Sequence, residues 1–182
     1  MMMKRTAFFL VLLLLSAVAG AAPLNFYLGA SLGEEVVADT DDPSFDVSGD
    51  SAYKVFAGLK LGRLFGVEVA YHDFGTQICC PNVVDYGFHL DVDGLSAAGV
   101  VGLSISRVNL FAKLGVFSWN EDGFLDSIIG RIDVSDDGQD LMGGVGAAIK
   151  LTGHFSVRAE WEYFEFAGSD VDFVSIGVEY KF

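Results

Sequence analysis

The chain has 182 residues and is strongly acidic, with 25 Asp and Glu against 11 Lys and Arg and a formal net charge of −14. This balance excludes a nucleic-acid-binding surface, which requires clustered basic residues. Beyond the N-terminal segment, no part of the sequence is apolar over the roughly 20 residues that a membrane helix needs. The length suffices for a single domain.

The N-terminal segment has the pattern of a secretory signal peptide. Two cations, Lys4 and Arg5, precede an apolar run that ends in small residues at Ala19-Gly20-Ala21. The run is too short for a comfortable membrane span, which makes an uncleaved anchor the weaker alternative. We therefore predict a signal peptide over 1–21 and a mature domain over 22–182. Loss of the two cations takes the net charge to about −16.

After the predicted signal peptide, apolar residues recur at every second position in eight segments. A period of two is typical of β-strands that have one apolar and one polar face. In the last segment the residues between the apolar ones are Ser175, Gly177, Glu179 and Lys181. The predicted strands cover residues 25–33, 52–61, 65–74, 92–104, 108–118, 141–151, 155–166 and 174–182.

The predicted connections differ in length from one end of the strands to the other. Tight turns are expected near 62–64, 104–107 and 152–154. The links at the opposite end are expected to be long loops, with 167–171 as a short exception. Transmembrane barrels have short turns on one side and long loops on the other. The long loops are predicted at 34–51, 75–90 and 119–140.

The distribution of charge over the two faces favours a membrane barrel over a soluble one. Basic residues facing lipid would each cost about 2–4 kcal/mol at the bilayer midplane, and an apolar face in water would form an unusually large patch. Both problems disappear in an eight-stranded antiparallel up-and-down transmembrane β-barrel whose apolar face meets lipid. Charges in its narrow lumen must then pair. The predicted lumen charge network consists of Lys54, Glu68, Lys113, Arg158, Glu160 and Glu162.

Five segments, in order, resemble strands of the OmpA-like transmembrane barrel domain. They are Gly66–Tyr71, Leu110–Gly115, Asp137–Leu141 followed by Gly144-Val145-Gly146, Val157–Tyr163 and Val174–Phe182. The resemblance implies an outer-membrane protein in contact with lipid and lipopolysaccharide. It also implies that the barrel-assembly machinery recognises the last strand through Val178, Tyr180 and Phe182.

The sequence departs from that family in two respects. Many members carry a periplasmic peptidoglycan-binding domain after the barrel, whereas this sequence stops at Phe182. Family lumens often carry further charges on the fourth and sixth strands, where Ala98 and Gly146 stand here. A gated salt-bridge pore therefore does not follow from the resemblance.

The predicted loops contain two further features. The acidic stretches 34–50 and 120–140 lack the spacing of a known calcium loop, so no metal site is predicted there. Cys79 and Cys80 are adjacent in a chain exported to an oxidising compartment, where a disulfide between them is expected. Intermolecular bridging is the alternative.

The sequence favours a structural or surface-exposed role without cofactors. A narrow, weakly conducting channel is one alternative. A lipid A-modifying enzyme is another, since His154 and Ser156 lie two residues apart, but His154 is expected at a short turn and no oxyanion hole is evident. His72 and His89 lack the third ligand that a zinc site would need.

Overall fold

The computed structural model describes residues 24–37, 52–79, 87–127, 130–166 and 169–182. In these ranges the chain forms eight strands, and none of it is a helix with the length and hydropathy of a membrane span. The strands are β1 (Leu24–Val37), β2 (Ala52–Leu61), β3 (Phe65–Cys79), β4 (Gly87–Ile105), β5 (Val108–Ser127), β6 (Gly130–Lys150), β7 (Phe155–Phe166) and β8 (Ser169–Lys181).

The eight strands form one closed barrel in sequence order. Every pair of neighbours is antiparallel, and β1 closes the ring on β8 with Ala30 opposite Val178. The last residue joins this seam, because the Phe182 amide donates to the Phe26 carbonyl over 3.0 Å. The predicted eight-stranded antiparallel up-and-down barrel is confirmed.

Short turns connect the strands at one end, which we call the short-turn end. Gly62 adopts a φ of 74° after β2, and Ser106 adopts a φ of 56° between β4 and β5. After β6, the Thr152 hydroxyl accepts hydrogen bonds from the His154 and Phe155 amides. These local bonds satisfy backbone groups where the sheet pairing ends.

Strands β3 to β6 extend further than the sequence predicts. β5 has 20 residues and β6 has 21, and they stay paired from Val108–Ile149 to Ser127–Gly130. The prediction of long loops over 75–90 and 119–140 is therefore wrong for most of these residues. The reason is that water can wet both faces of a sheet beyond the bilayer, so polar and apolar residues no longer need to alternate there.

The two faces of the sheet have the predicted polarity. Outward side chains are apolar and exposed, with Leu114 at 70% and Leu32 at 66% of full exposure, whereas inward Lys54 is completely buried. Since the charges lie inside and the apolar residues outside, the barrel has the polarity required for contact with lipid.

Glycines make room for aromatic side chains in the lumen. A β-carbon on Gly58 would lie 2.1 Å from the Tyr27 ring, and one on Gly146 would lie 2.4 Å from the Phe111 ring. Each glycine thus allows a ring from the neighbouring strand to approach its backbone closely. Gly146 occupies a position where the resemblance suggests a charge, and Phe111 fills the corresponding space.

Candidate functional site

The lumen contains a cluster of buried charges at the level of β7 residues 158–162. The structure brings all six side chains of the predicted lumen charge network together there. It adds a seventh, Glu179 of β8, which is also buried. We call these seven residues the charged layer.

Arg158 is the centre of the charged layer. Its Nη1 and Nη2 donate to the two carboxylate oxygens of Glu68 over 2.7 and 3.0 Å. Nη2 also donates to Glu160 over 2.7 Å, and Nη1 lies 3.4 Å from Glu179. Such forked pairing is the strongest way to hold a carboxylate in a buried site.

Aromatic rings hold the Arg158 guanidinium from two sides. The guanidinium carbon lies 4.4 Å from the centre of the Phe56 ring and 4.3 Å from that of Phe111. A cation against a ring face is favourable when water is excluded. Nearby, the Tyr27 hydroxyl donates to Glu68 over 2.9 Å.

Two lysines connect the remaining carboxylates of the charged layer. Lys113 Nζ lies 2.6 Å from Glu162, 2.8 Å from Glu160 and 3.2 Å from Glu68. Lys54 is hydrogen-bonded to both Glu160 and Glu162. Lys113 therefore bridges carboxylates of β3 and β7, and Lys54 of β2 holds the two β7 carboxylates from across the lumen.

The charges of the layer almost cancel. Four carboxylates face three internal cations, and Lys60 lies 4.0 Å from Glu179 at the edge of the cluster. With Lys60 included, four cations balance four carboxylates. Near-neutrality is a condition for burying so many charges, because an uncompensated one costs several kcal/mol.

A second, mostly apolar layer fills the lumen towards the other end. His72 lies at its centre, 5.1 Å from the Phe164 ring and 5.6 Å from the Phe117 ring, measured between centroids. Its Nε2 is 3.0 Å from the Ser96 hydroxyl. Most side chains here are less than 2% exposed. We call this group the aromatic layer; it comprises His72, Phe74, Phe117, Met142, Phe164 and Phe173.

The aromatic layer was not predicted from the sequence. Each of its rings stands at an inward position of its strand, next to outward residues such as Val116 and Val174. That alternation was the available signal. It did not show that rings from β3, β5, β7 and β8 would meet at one height, since this depends on the register between strands.

The other predicted site residues lie apart from the lumen charges. Val178 on the outside of β8 and Phe182 just after it are exposed, and the Tyr180 ring contacts those of Phe155 and Phe182 at 5.0 Å. Cys79 is the last residue of β3, but Cys80 lies outside the described residues, so the disulfide between them stays a prediction.

The alternative enzyme and metal residues show no catalytic or ligand arrangement in the described part of the chain. His154 Nδ1 is 2.9 Å from the Lys181 carbonyl, which can only accept, so this nitrogen is the donor. Ser156 is buried on the lumen side. No group of three or more metal-ligating side chains occurs among the described residues.

The family model described as "Outer membrane protein beta-barrel domain" matches residues 7–182 of the chain. None of the curated proteins matches it in sequence.

Solved structures of outer-membrane proteins are similar in fold. A major outer membrane protein from Thermus thermophilus is 14% identical, with a TM-score of 0.65 over 88% of this chain and 100% of that one. Ail, the attachment invasion locus protein of Yersinia pestis, solved with the heparin analogue sucrose octasulfate, is 16% identical (TM-score 0.59, 87% and 97% covered). Neisserial surface protein A is 16% identical (TM-score 0.57, 86% and 97% covered).

Proposed function

Because the chain belongs to the outer membrane protein β-barrel domain family and is an outer-membrane protein, we propose that it is a closed, non-enzymatic barrel with a structural or surface-exposed role. Barrels of this kind have their short turns in the periplasm and their longer connections outside the cell. The short-turn end is accordingly periplasmic. The extended ends of β3 to β6 are then extracellular.

The observation that carries this proposal is the filling of the lumen at two levels. The charged layer crosses the barrel through Lys54, Lys113 and Arg158, which each contact carboxylates on other strands. Above it, the rings around His72 pack edge to face. An ion would have to break several buried charge pairs and displace these rings, so we propose that the barrel does not conduct.

Planar-bilayer recording tests the closed lumen. The mature protein, checked for folding by its altered gel mobility without boiling, should give no unitary conductance steps. A Phe117→Ala, Phe164→Ala variant should stay silent as well, since the charged layer remains intact. Reproducible conductance steps from the folded wild-type protein would contradict a closed barrel and favour the narrow channel instead.

The extracellular end is acidic, so it suits contact with water and does not suit the binding of polyanions. Asp136, Asp137 and Asp140 line β6 there, opposite Glu121 and other residues of β5. Ail was solved with a sulfated sugar, but a sulfated chain would be repelled by this acidic surface. We expect no retention of the folded protein on immobilised heparin at low ionic strength, and retention would contradict the proposed surface character.

Two further assignments follow from the same proposal. Residues 1–21 are a signal peptide that is removed before residues 22–182 form the barrel, which mass spectrometry of the exported protein tests. The outward residues Val178, Tyr180 and Phe182 contact the assembly machinery. Phe182→Ala should slow assembly in cells while leaving the stability of the refolded barrel nearly unchanged.

The absence of catalysis has its own test. Lipid A acylation should be unchanged when the protein is overexpressed. A change that is lost in a Ser156→Ala variant would instead support the enzyme alternative.

A further inference from the structure

The basic residues are unevenly distributed along the barrel axis. Of the 11 Lys and Arg, two belong to the predicted signal peptide and three to the charged layer. One, Arg131, lies in the extracellular half of β6. The remaining five lie at the short-turn end: Lys60, Arg63, Arg107, Lys150 and Lys181. In an otherwise acidic protein, this end is strongly cationic.

Four of these five cations line a cavity of about 660 Å³ at the periplasmic mouth of the lumen. They are Lys60, Arg63, Lys150 and Lys181, whereas Arg107 is not part of the wall. Lys150 and Lys181 are near enough to Lys60 for their charges to repel its ammonium group. The side chains therefore concentrate positive charge around one space.

The floor of this cavity is polar and closed. Asn109, Ser156 and Glu179 are buried there. Glu179 contacts Arg158, whose guanidinium is held between two aromatic rings immediately above. The cavity is thus a pocket with one opening and not the entrance of a pore.

Within the described residues, carboxylates compensate the wall charges only in part. Glu179 is the one carboxylate lining the pocket, and it is shared between Lys60 at 4.0 Å and Arg158 at 3.4 Å. Among the described residues, Arg63, Lys150 and Lys181 form no ion pair. Four cations and one carboxylate leave the wall with an excess of about three positive charges.

From this geometry we propose that the periplasmic pocket binds a phosphate-bearing ligand of headgroup size. Lysine and arginine are the usual partners of phosphate oxygens, and a phosphate monoester carries a charge of about −1.5 to −2, which would offset more than half of this excess. The volume lies in the range of small-molecule sites, roughly 300–1,000 Å³. The phosphate can belong to a free organic phosphate or to the headgroup of an anionic lipid in the inner leaflet.

Calorimetry on the folded mature protein tests the site. In nanodiscs of phosphatidylcholine, glycerol 1-phosphate should bind saturably, and added salt should weaken the binding. Lys60→Gln with Lys150→Gln should weaken it by about tenfold or more. The matched control Arg107→Gln removes a cation from the same end outside the pocket and should leave the affinity within about twofold. An equal loss in both variants would overturn the proposal.

Lipid composition separates the two sources of phosphate. If nanodiscs that contain phosphatidylglycerol abolish glycerol phosphate binding, the headgroup occupies the pocket; if binding is unchanged, the ligand is soluble. Backbone amide shifts of Gly62 and Gly153, which line the pocket, report occupancy in the wild-type protein and need no variant. The absence of saturable binding, together with unchanged shifts with both probes, would refute the site.

Discussion

The charged and aromatic layers fill the same lumen by opposite means. The charged layer depends on a balance of charge, because each of its buried groups requires a partner of opposite sign on another strand. The aromatic layer depends on shape, with rings meeting at centroid distances such as the 4.8 Å between Phe117 and Phe164. The comparison shows that a narrow barrel can be closed by paired charges or by packed rings. The two layers should respond differently to mutation.

The largest effect is expected from removal of the central cation. Arg158→Met leaves Glu68 and Glu160 buried without their forked partner, and breaking a buried ion pair on one side costs about 3–5 kcal/mol of unfolding free energy. Urea unfolding of the barrel in lipid vesicles, followed by tryptophan fluorescence, measures this loss. The exposed Arg107→Met should cost no more than about 0.5 kcal/mol. A loss below about 1 kcal/mol at Arg158 would show that pairing does not hold this layer together.

A smaller effect is expected where the charged layer depends on close packing. An alanine at Gly146 would place its β-carbon 2.4 Å from the Phe111 ring and 2.8 Å from the Ala159 carbonyl. Such overpacking typically costs about 1–3 kcal/mol. Gly143→Ala on the same strand is the matched control, since its β-carbon meets nothing nearer than 3.7 Å. Equal stability of the two variants would argue against the tight fit between Gly146 and Phe111.

The aromatic layer should tolerate the loss of its polar pair. A double variant, His72→Phe with Ser96→Ala, removes both partners of the 3.0 Å hydrogen bond and the buried Nδ1 that has no partner. Replacing both members of a buried pair by apolar groups is nearly neutral, so the unfolding free energy should change by less than about 1 kcal/mol. A loss above about 2 kcal/mol would mean that His72 holds the layer through polarity and not through shape.

The smallest effect concerns a carboxylate beyond the apolar band. Burial, together with the nearby charge of Asp136, raises the pKa of Glu121 above its ordinary value. A raised folded-state pKa means that this carboxyl favours the folded state below its unfolded pKa, and that the contribution is lost as pH rises through the folded pKa. Asp136→Asn should lower the pKa of Glu121 and weaken this pH dependence. Carboxyl NMR titration measures the shift, and an unchanged pKa would show that the two charges do not interact.

The sequence predicted the architecture because each strand carries its own two-residue period. Lys54 between Tyr53 and Val55, or Glu68 between Val67 and Val69, already indicates which side chains face inward. In a closed barrel this alternation determines the contents of the lumen almost completely. The number of strands and the positions of the short turns follow from the same pattern.

The features that could not be predicted from the sequence are those that depend on contacts between distant strands. Glu179 joins Arg158 across the β7–β8 pair, and Lys60 joins Glu179 across the β1 strand that separates β2 from β8. Such contacts follow from register and strand tilt, which no local pattern contains. The strand extensions were missed for another reason, since residues such as Asp136 and Asp137 have no apolar neighbours that alternate with them.

In the orientation proposed above, with the short turns in the periplasm, the length of strands β5 and β6 determines how far the barrel reaches from the cell. A strand of 20 residues spans at most about 66 Å at roughly 3.3 Å per residue. A tilt of about 40° reduces its height to about 50 Å, and the apolar band of an outer-membrane barrel accounts for only about 25 Å of that. In that orientation, the ends of β5 and β6 would stand up to about 25 Å above the lipid, where large molecules outside the cell could touch them without approaching the bilayer.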